Sequence, residues 1–83
     1  MALRVIVYHQ PGCSACHEEM TWLKQNHISF ESRDVLANLD WLDELMELGG
    51  QATPVTVIEA EDGQEVIFGF NQPQLQDLLA HYS

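Results

Sequence analysis

Gly12-Cys13-Ser14-Ala15-Cys16-His17 holds the only two cysteines of the chain, two residues apart, between an apolar run and a helical pattern. Upstream, Leu3-Arg4-Val5-Ile6-Val7-Tyr8 is rich in β-branched residues and nearly continuous in apolar character, which suits a strand buried on both faces at the centre of a sheet. His9-Gln10-Pro11-Gly12 breaks that strand with turn residues. Downstream, Cys16, Met20 and Leu23 fall at helical spacing with Trp22 alongside. The spacing predicts a helix from about Cys13 to about Asn26, with Met20, Trp22 and Leu23 in the core and His27 in the following turn.

Beyond that helix, Ile28-Ser29-Phe30-Glu31-Ser32-Arg33-Asp34-Val35 begins with alternation of apolar and polar residues, so a second strand with one wet face is expected. A strand, a crossover helix and a second strand form a right-handed parallel unit. Asn38 is placed to cap a helix whose Leu39, Leu42, Leu45, Met46 and Leu48 share an apolar face while Asp40, Asp43, Glu44 and Glu47 face water, and Gly49-Gly50 ends it. Thr53-Pro54 then leads into Val55-Thr56-Val57-Ile58-Glu59. A polar turn at Glu61-Asp62-Gly63 and the run Glu65-Val66-Ile67-Phe68 complete a hairpin. Gly69-Phe70-Asn71 closes that strand, and Pro73 opens a last helix carrying Leu75, Leu78, Leu79 and Tyr82 on one face. The expected order is β-α-β-α-β-β-α, in a single domain over 1–83 with no repeat or linker.

Composition limits what such a domain does. At 83 residues there is room for one core and one site, and 46% hydrophobic residues suffice to fill that core. Thirteen acidic side chains against Arg4, Lys24 and Arg33 give a formal charge of −10, which argues against nucleic acid and anionic membrane surfaces as partners. The acidity serves solubility or steers the chain toward a basic protein surface. No apolar run approaches the roughly 18 residues of a membrane span, and Met1 to Tyr8 is too short for a signal peptide, so a cytoplasmic protein is expected. In a reducing compartment two close cysteines point first to catalysis, redox sensing or metal binding.

A cysteine at the first turn of a helix faces unpaired N–H groups and the positive end of the helix dipole, and both favour thiolate over thiol. Cys13 occupies that place. Cys16, one turn further in, lacks those donors. Two such thiols suit a division of labour in which Cys13 attacks a disulfide sulfur and Cys16 then attacks Cys13 to release the reduced substrate. Three other readings stand beside this one. A purely structural disulfide would close a ring holding only Ser14 and Ala15, which constrains the unfolded chain little. A zinc or iron–sulfur site needs more ligands than two cysteines, with only His9 and His17 close by, unless two chains share it. Cys13-Ser14-Ala15-Cys16-His17 also matches the attachment pattern for c-type haem, although that chemistry belongs to exported proteins. His9, if protonated, would help hold a Cys13 thiolate, and Glu18 and Glu19 would oppose it if near.

With Cys13-Ser14-Ala15-Cys16 after the first strand, Ala52-Thr53-Pro54-Val55 opening the third and Gly69-Phe70 after the fourth, nearly the whole chain resembles the glutaredoxin branch of the thioredoxin superfamily. The resemblance implies a thioredoxin-like α/β fold of glutaredoxin type, with a four-stranded mixed sheet in the order 2-1-3-4 and three flanking helices. It also implies a cis peptide before Pro54, which frees the backbone of Thr53 to pair with a substrate peptide. The implied activity is disulfide reduction through a redox-active Cys13–Cys16 disulfide, with no bound cofactor or metal, on disulfide-containing protein or small-molecule substrates, by a monomer. Tyr8, Gly69 and Phe70 are expected to border the substrate groove. Many glutaredoxins have Cys-Pro-Tyr-Cys, a preceding lysine, and a late Gly-Gly that holds glutathione. None of these is present here. Gly69-Phe70-Asn71-Gln72-Pro73 is more similar to the glutaredoxin-like hydrogen donors of ribonucleotide reductase, so electrons are expected from glutathione or thioredoxin reductase. A redox-inactive or redox-sensing interaction module on the same fold is the rival class.

Overall fold

In a computed structural model, which describes residues 3–82, the chain forms β1 (Arg4–His9), α1 (Ser14–Gln25), β2 (Glu31–Asp34), α2 (Leu39–Glu47), β3 (Val55–Ala60), β4 (Gly63–Phe68) and α3 (Gln72–Tyr82). Met1, Ala2 and Ser83, the ends of the expected 1–83 domain, lie outside the described residues. The sheet runs β2-β1-β3-β4, with β1 and β2 parallel and the β1–β3 and β3–β4 pairs antiparallel. Order and topology are those expected.

Central β1 is buried from Val5 to Tyr8, and alternate side chains go to opposite faces. Val5 and Val7 join Ile58, Ile67, Leu23 of α1 and Leu75 of α3 in one cluster, with Phe70, Leu78, Leu79 and Tyr82 packed against it. Ile6 and Tyr8 join Val55, Val57, Val35 and Leu45 of α2 in the other. The sheet therefore carries α1 and α3 on one face and α2 on the other. This two-faced burial explains the continuous apolar run of β1.

The expected strand over Ile28–Val35 forms only from Glu31 to Asp34. The end of α1 consumes its first residues. Ile28 N–H donates to the Leu23 carbonyl at 2.9 Å and His27 N–H to the Lys24 carbonyl at 3.1 Å, while His27 sits at φ 58°. These are the two bonds of a Schellman motif, with histidine in the left-handed position that glycine usually fills. α2 is capped as expected, the Asn38 side chain accepting from Asp40 N–H at 3.0 Å. Its apolar face is narrower than expected, since Leu39 and Met46 are 67% and 61% exposed. Trp41 takes the place beside Leu42, Leu45 and Leu48 against the sheet. In the hairpin, Gly63 belongs to β4, opposite Ala60, and Glu61-Asp62 make the turn. α3 starts at Gln72, one residue before Pro73, with the Asn71 side chain accepting from Gln74 N–H at 3.2 Å.

α2 also ends in a Schellman motif, Gly49 N–H donating to Met46 and Gly50 N–H to Leu45, each at 3.0 Å. At the second glycine the constraint is space. A Cβ on Gly50 would lie 2.9 Å from Val55 Cγ2 and 3.0 Å from Leu45 Cγ.

One carboxyl group is buried in the core. Glu19 of α1 and Thr56 of β3 are both 0% exposed, and the Thr56 hydroxyl donates to Glu19 Oε2. Thr56 lies opposite Val7 and Ile67 in the sheet and so faces α1 and α3. Burial pushes the Glu19 carboxyl up from 4.5 to about 7, the Thr56 bond pulling the other way.

Two outcomes follow for stability. Gly50→Ala should destabilise the chain by about 1–3 kcal/mol through overpacking between α2 and β3, and urea unfolding that gives an unchanged midpoint would contradict it. For Glu19, the native chain holds a proton that the unfolded chain releases above 4.5. Its contribution is full below that pH and is lost as pH rises toward 7, by about 3 kcal/mol in all. Relative to Glu19→Gln, the oxidised protein should therefore be markedly less stable at pH 8 than at pH 5. An equal difference at both pH values would contradict it.

Candidate active site

The site begins where α1 begins. Pro11-Gly12 turns the chain out of β1, Gly12 at φ +79°, and Cys13 becomes the N-cap of α1 in extended conformation, φ −92° and ψ 101°. Its Sγ accepts from Cys16 N–H at 3.1 Å, so the sulfur takes one of the donors that the first turn leaves without a helical partner. The first turn contains no acidic residue. Cys13 is half-buried and Cys16 is 1% exposed. The two are joined as a disulfide with a Cα–Cα distance of 5.2 Å.

The segment before β3 meets this turn. Thr53–Pro54 is cis, and the Thr53 carbonyl oxygen lies 3.6 Å from Cys13 Sγ. Strand pairing of β3 starts at Val55, so the backbone of Thr53 is not part of the ladder. Pro54 is buried, and its carbonyl accepts from Gly69 N–H at 2.8 Å, with Gly69 at φ +77°. Thr53 Oγ1 is buried with no hydrogen-bond partner among the described residues. Cys13, Cys16, Thr53, Pro54 and Gly69 are thus brought to one end of the sheet. Phe70 is half-buried and borders a cleft of about 370 Å³ with His17, Trp22 and Gln72 along α1.

Tyr8 is placed elsewhere, which corrects its expected position at the groove. It is 4% exposed on the α2 face, where its hydroxyl donates to Glu44 at 2.8 Å and accepts from Arg33 at 3.1 Å. A strand buried on both faces gives no sign in sequence of which residues face the site, and β1 sends Tyr8 away from it. Arg33 also pairs with Glu31 and, at 2.6 Å, with Glu44, and stacks over the Tyr8 and Trp41 rings. Arg4 pairs with Glu31 at 2.6 Å and Glu59 at 3.5 Å. Both arginines are held on the α2 side, and Lys24 is in the last turn of α1, at the opposite end from Cys13. Among the described residues no group of three or more His, Cys, Asp or Glu side chains is placed to hold a metal ion.

Glu19 is the residue that the sequence pattern did not assign. It is buried one turn inward from Cys16, whereas Glu18 is exposed. A signal was present, since Cys16, Glu19 and Leu23 follow the i, i+3, i+7 spacing of a buried stripe.

Comparison with known proteins agrees with this geometry. Residues 5–62, from β1 to the hairpin turn, match the glutaredoxin family. The SPbeta prophage-derived thioredoxin-like protein YosR of Bacillus subtilis is 32% identical over 79 residues, 93% of this chain and 95% of that protein. The crystal structure of the thioredoxin-like protein BC3987 superposes with a TM-score of 0.80 at 34% identity, covering 90% of this chain and 99% of that one. NrdH-redoxin from Escherichia coli, a glutaredoxin-like protein, shares the fold with a TM-score of 0.78 at 21% identity, over 90% of this chain and 93% of its own. A cysteine pair joined at the helix start, a cis-proline segment against it and a family match that spans both place this chain in the glutaredoxin family of the thioredoxin superfamily.

Proposed function

We propose that this chain is a thiol–disulfide oxidoreductase that reduces disulfides of protein or small-molecule substrates through Cys13 and Cys16. The observation that carries the reading is the Cys13 sulfur at the N-cap of α1, accepting a backbone N–H at 3.1 Å. In the reduced protein that donor and the helix dipole favour the thiolate. Cys13 attacks a substrate disulfide, forming a mixed disulfide and releasing one substrate thiolate. Cys16 then attacks Cys13 Sγ, the mixed disulfide breaks, and the second substrate thiolate leaves as the Cys13–Cys16 bond forms. Thr53, with its carbonyl 3.6 Å from Cys13 Sγ and its backbone outside the ladder, offers the edge on which a substrate peptide pairs beside the sulfur. Pro54 and Gly69 hold that edge through their 2.8 Å bond, and Phe70 borders the groove.

The reductant that fits best is thioredoxin reductase. Glutathione is an anionic tripeptide, and the arginines that would suit its carboxylates are paired on the far face of a chain of charge −10. NrdH-redoxin from Escherichia coli is itself a glutaredoxin-like protein with a thioredoxin-like activity profile, which supports the same choice. Potentials of roughly −200 to −270 mV for such dithiols suit a reducing role in a reducing compartment, and the reading takes the chain to act there, in the cytoplasm, as a monomer without bound cofactor. Among the described residues no helix is long and apolar enough to cross a membrane.

Cys13→Ser should abolish reduction of a model disulfide, and Cys16→Ser should accumulate a mixed disulfide through Cys13, detected as an adduct by mass spectrometry. An adduct on Cys16 in the reciprocal variant would reverse the assigned roles. With NADPH and a model disulfide, thioredoxin reductase alone should sustain turnover, and glutathione with its reductase should not. The opposite result would assign the electrons to glutathione.

A further inference from the structure

The cleft of about 370 Å³ between α1 and the start of α3 takes no part in the exchange steps above, although it opens beside them. On α1 it is lined by His17, Glu18, Trp22 and Gln25, one face of the helix over about 12 Å. His17 follows Cys16 directly, so the cleft starts at the dithiol and runs away from it along the helix. Phe70 and Gln72 complete the lining, and Phe70 follows Gly69, whose N–H holds the Pro54 carbonyl. A peptide paired beside Thr53 with its sulfur on Cys13 thus has the cleft within reach of a side chain a few residues from its cysteine, at about 3.3 Å per extended residue.

The chemistry of the lining is specific. Trp22 and Phe70 are half-buried, packed against the core on one side and bordering the cleft on the other. Glu18 is exposed and makes no ion pair among the described residues. None of the chain's own cations is placed to serve it. Arg4 and Arg33 are held by Glu31, Glu44 and Glu59 on the α2 face, and Lys24 lines a separate hollow with Met20, Ile28 and Phe30. Gln25 and Gln72 add amide oxygens as acceptors. Aromatic surface, an unpaired carboxylate and amide oxygens suit a guanidinium, which is planar, stacks on rings and donates through five N–H groups. The chain already satisfies one guanidinium in this way. Arg33 lies over the Tyr8 and Trp41 rings, 5.6 and 5.9 Å from their centroids, and pairs with Glu44 at 2.6 Å. The cleft repeats that set of groups with no arginine of its own.

We propose that this cleft is a subsite for an arginine of the substrate protein, close in sequence to the cysteine that Cys13 attacks, with Trp22 and Phe70 against the guanidinium and Glu18 paired to it. This rests on the exchange reading above and selects, among its substrates, disulfides flanked by arginine. The formal charge of −10 acts in the same sense, drawing basic surfaces toward the chain before the arginine seats. Lysine fits less well, because its ammonium is a compact, strongly hydrated point charge that gains less from the rings.

The test uses peptides with a single cysteine joined by a disulfide to thionitrobenzoate. Arginine, or its neutral isostere citrulline, is placed in turn at each position up to four residues on either side of that cysteine. Reduced protein attacks the peptide sulfur through Cys13, and thionitrobenzoate, the better leaving group, departs with the electron pair and is read by its absorbance. At pH 8, where an ordinary imidazole is neutral, arginine on one side of the cysteine should raise the second-order rate constant by about fivefold to tenfold over citrulline, and lysine by less. Glu18→Gln should cut the arginine advantage by about twofold to fivefold, and Trp22→Leu by a similar factor. The exposed Glu18 change carries the test if Trp22→Leu does not fold. Glu61→Gln, in the hairpin turn at the opposite end of the sheet, removes the same charge and should leave the advantage intact. An arginine advantage that is absent at every position, or equal in wild type and Glu18→Gln, would overturn the proposal. An equal loss in Glu61→Gln would also overturn it, assigning the effect to overall charge. Release that is absent from wild type with every peptide, or that survives in Cys13→Ser, would instead overturn the exchange reading and this proposal with it.

Discussion

The first turn of α1 leaves backbone N–H groups without helical partners, and the Cys13 sulfur satisfies one of them, from Cys16, at 3.1 Å. Much of the site follows from that contact. It fixes Cys13 at the N-cap with its sulfur at the positive end of the helix, and it sets Cys16 one turn deeper, beneath the surface. The Thr53–Pro54 segment can approach the sulfur because Gly69 holds Pro54 from the other side through a single 2.8 Å bond. A sheet buried on both faces then anchors all three segments, since β1 leads into the cysteines, β3 follows the proline and β4 leads into Gly69.

The core carries a polar pair where apolar residues would pack more stably. Glu19 and Thr56 bridge α1 and β3, one carboxyl oxygen satisfied and one without a hydrogen-bond partner among the described residues. A carboxyl held near 7 weakens the fold as pH rises through neutrality. Strained or unsatisfied groups concentrate at functional sites, and the position of this one, on the Cys16 stripe of α1, is consistent with that pattern. The other polar network lies on the opposite face, where Arg33 joins Tyr8, Glu31 and Glu44. It ties α2 to β1 and β2, and in doing so occupies Arg33, one of the three Lys and Arg side chains of a strongly acidic chain.

Most of the fold was legible because its patterns are strong. The β-branched run of β1, the Asp62-Gly63 hairpin, the Asn38 cap and the Gly49-Gly50 stop each carry a local physical reason. The dithiol was legible from spacing and position together, and the Thr53–Pro54 segment from family resemblance. The start of β2 was not, because a Schellman motif ended by histidine at φ 58° lacks the glycine that marks such turns. Tyr8 was misplaced because a doubly buried strand conceals which face each residue takes. The Leu39 and Met46 positions were read as core because a short helix covers a narrower stripe than its apolar residues can fill. Glu19 followed the spacing of a buried stripe, but a carboxylate in such a stripe reads as solvent-facing until the Thr56 hydroxyl is seen opposite it.

The central claim is that helix-start donors make Cys13 the nucleophile and leave Cys16 a protonated partner. Alkylation of the reduced chain with iodoacetamide across pH, with each cysteine located by mass spectrometry, tests it directly. The account predicts modification confined to Cys13 at early times, with a thiolate titration below about 7.5. Equal modification of both cysteines, or titration of Cys13 at the free-thiol value near 8.5, would contradict it.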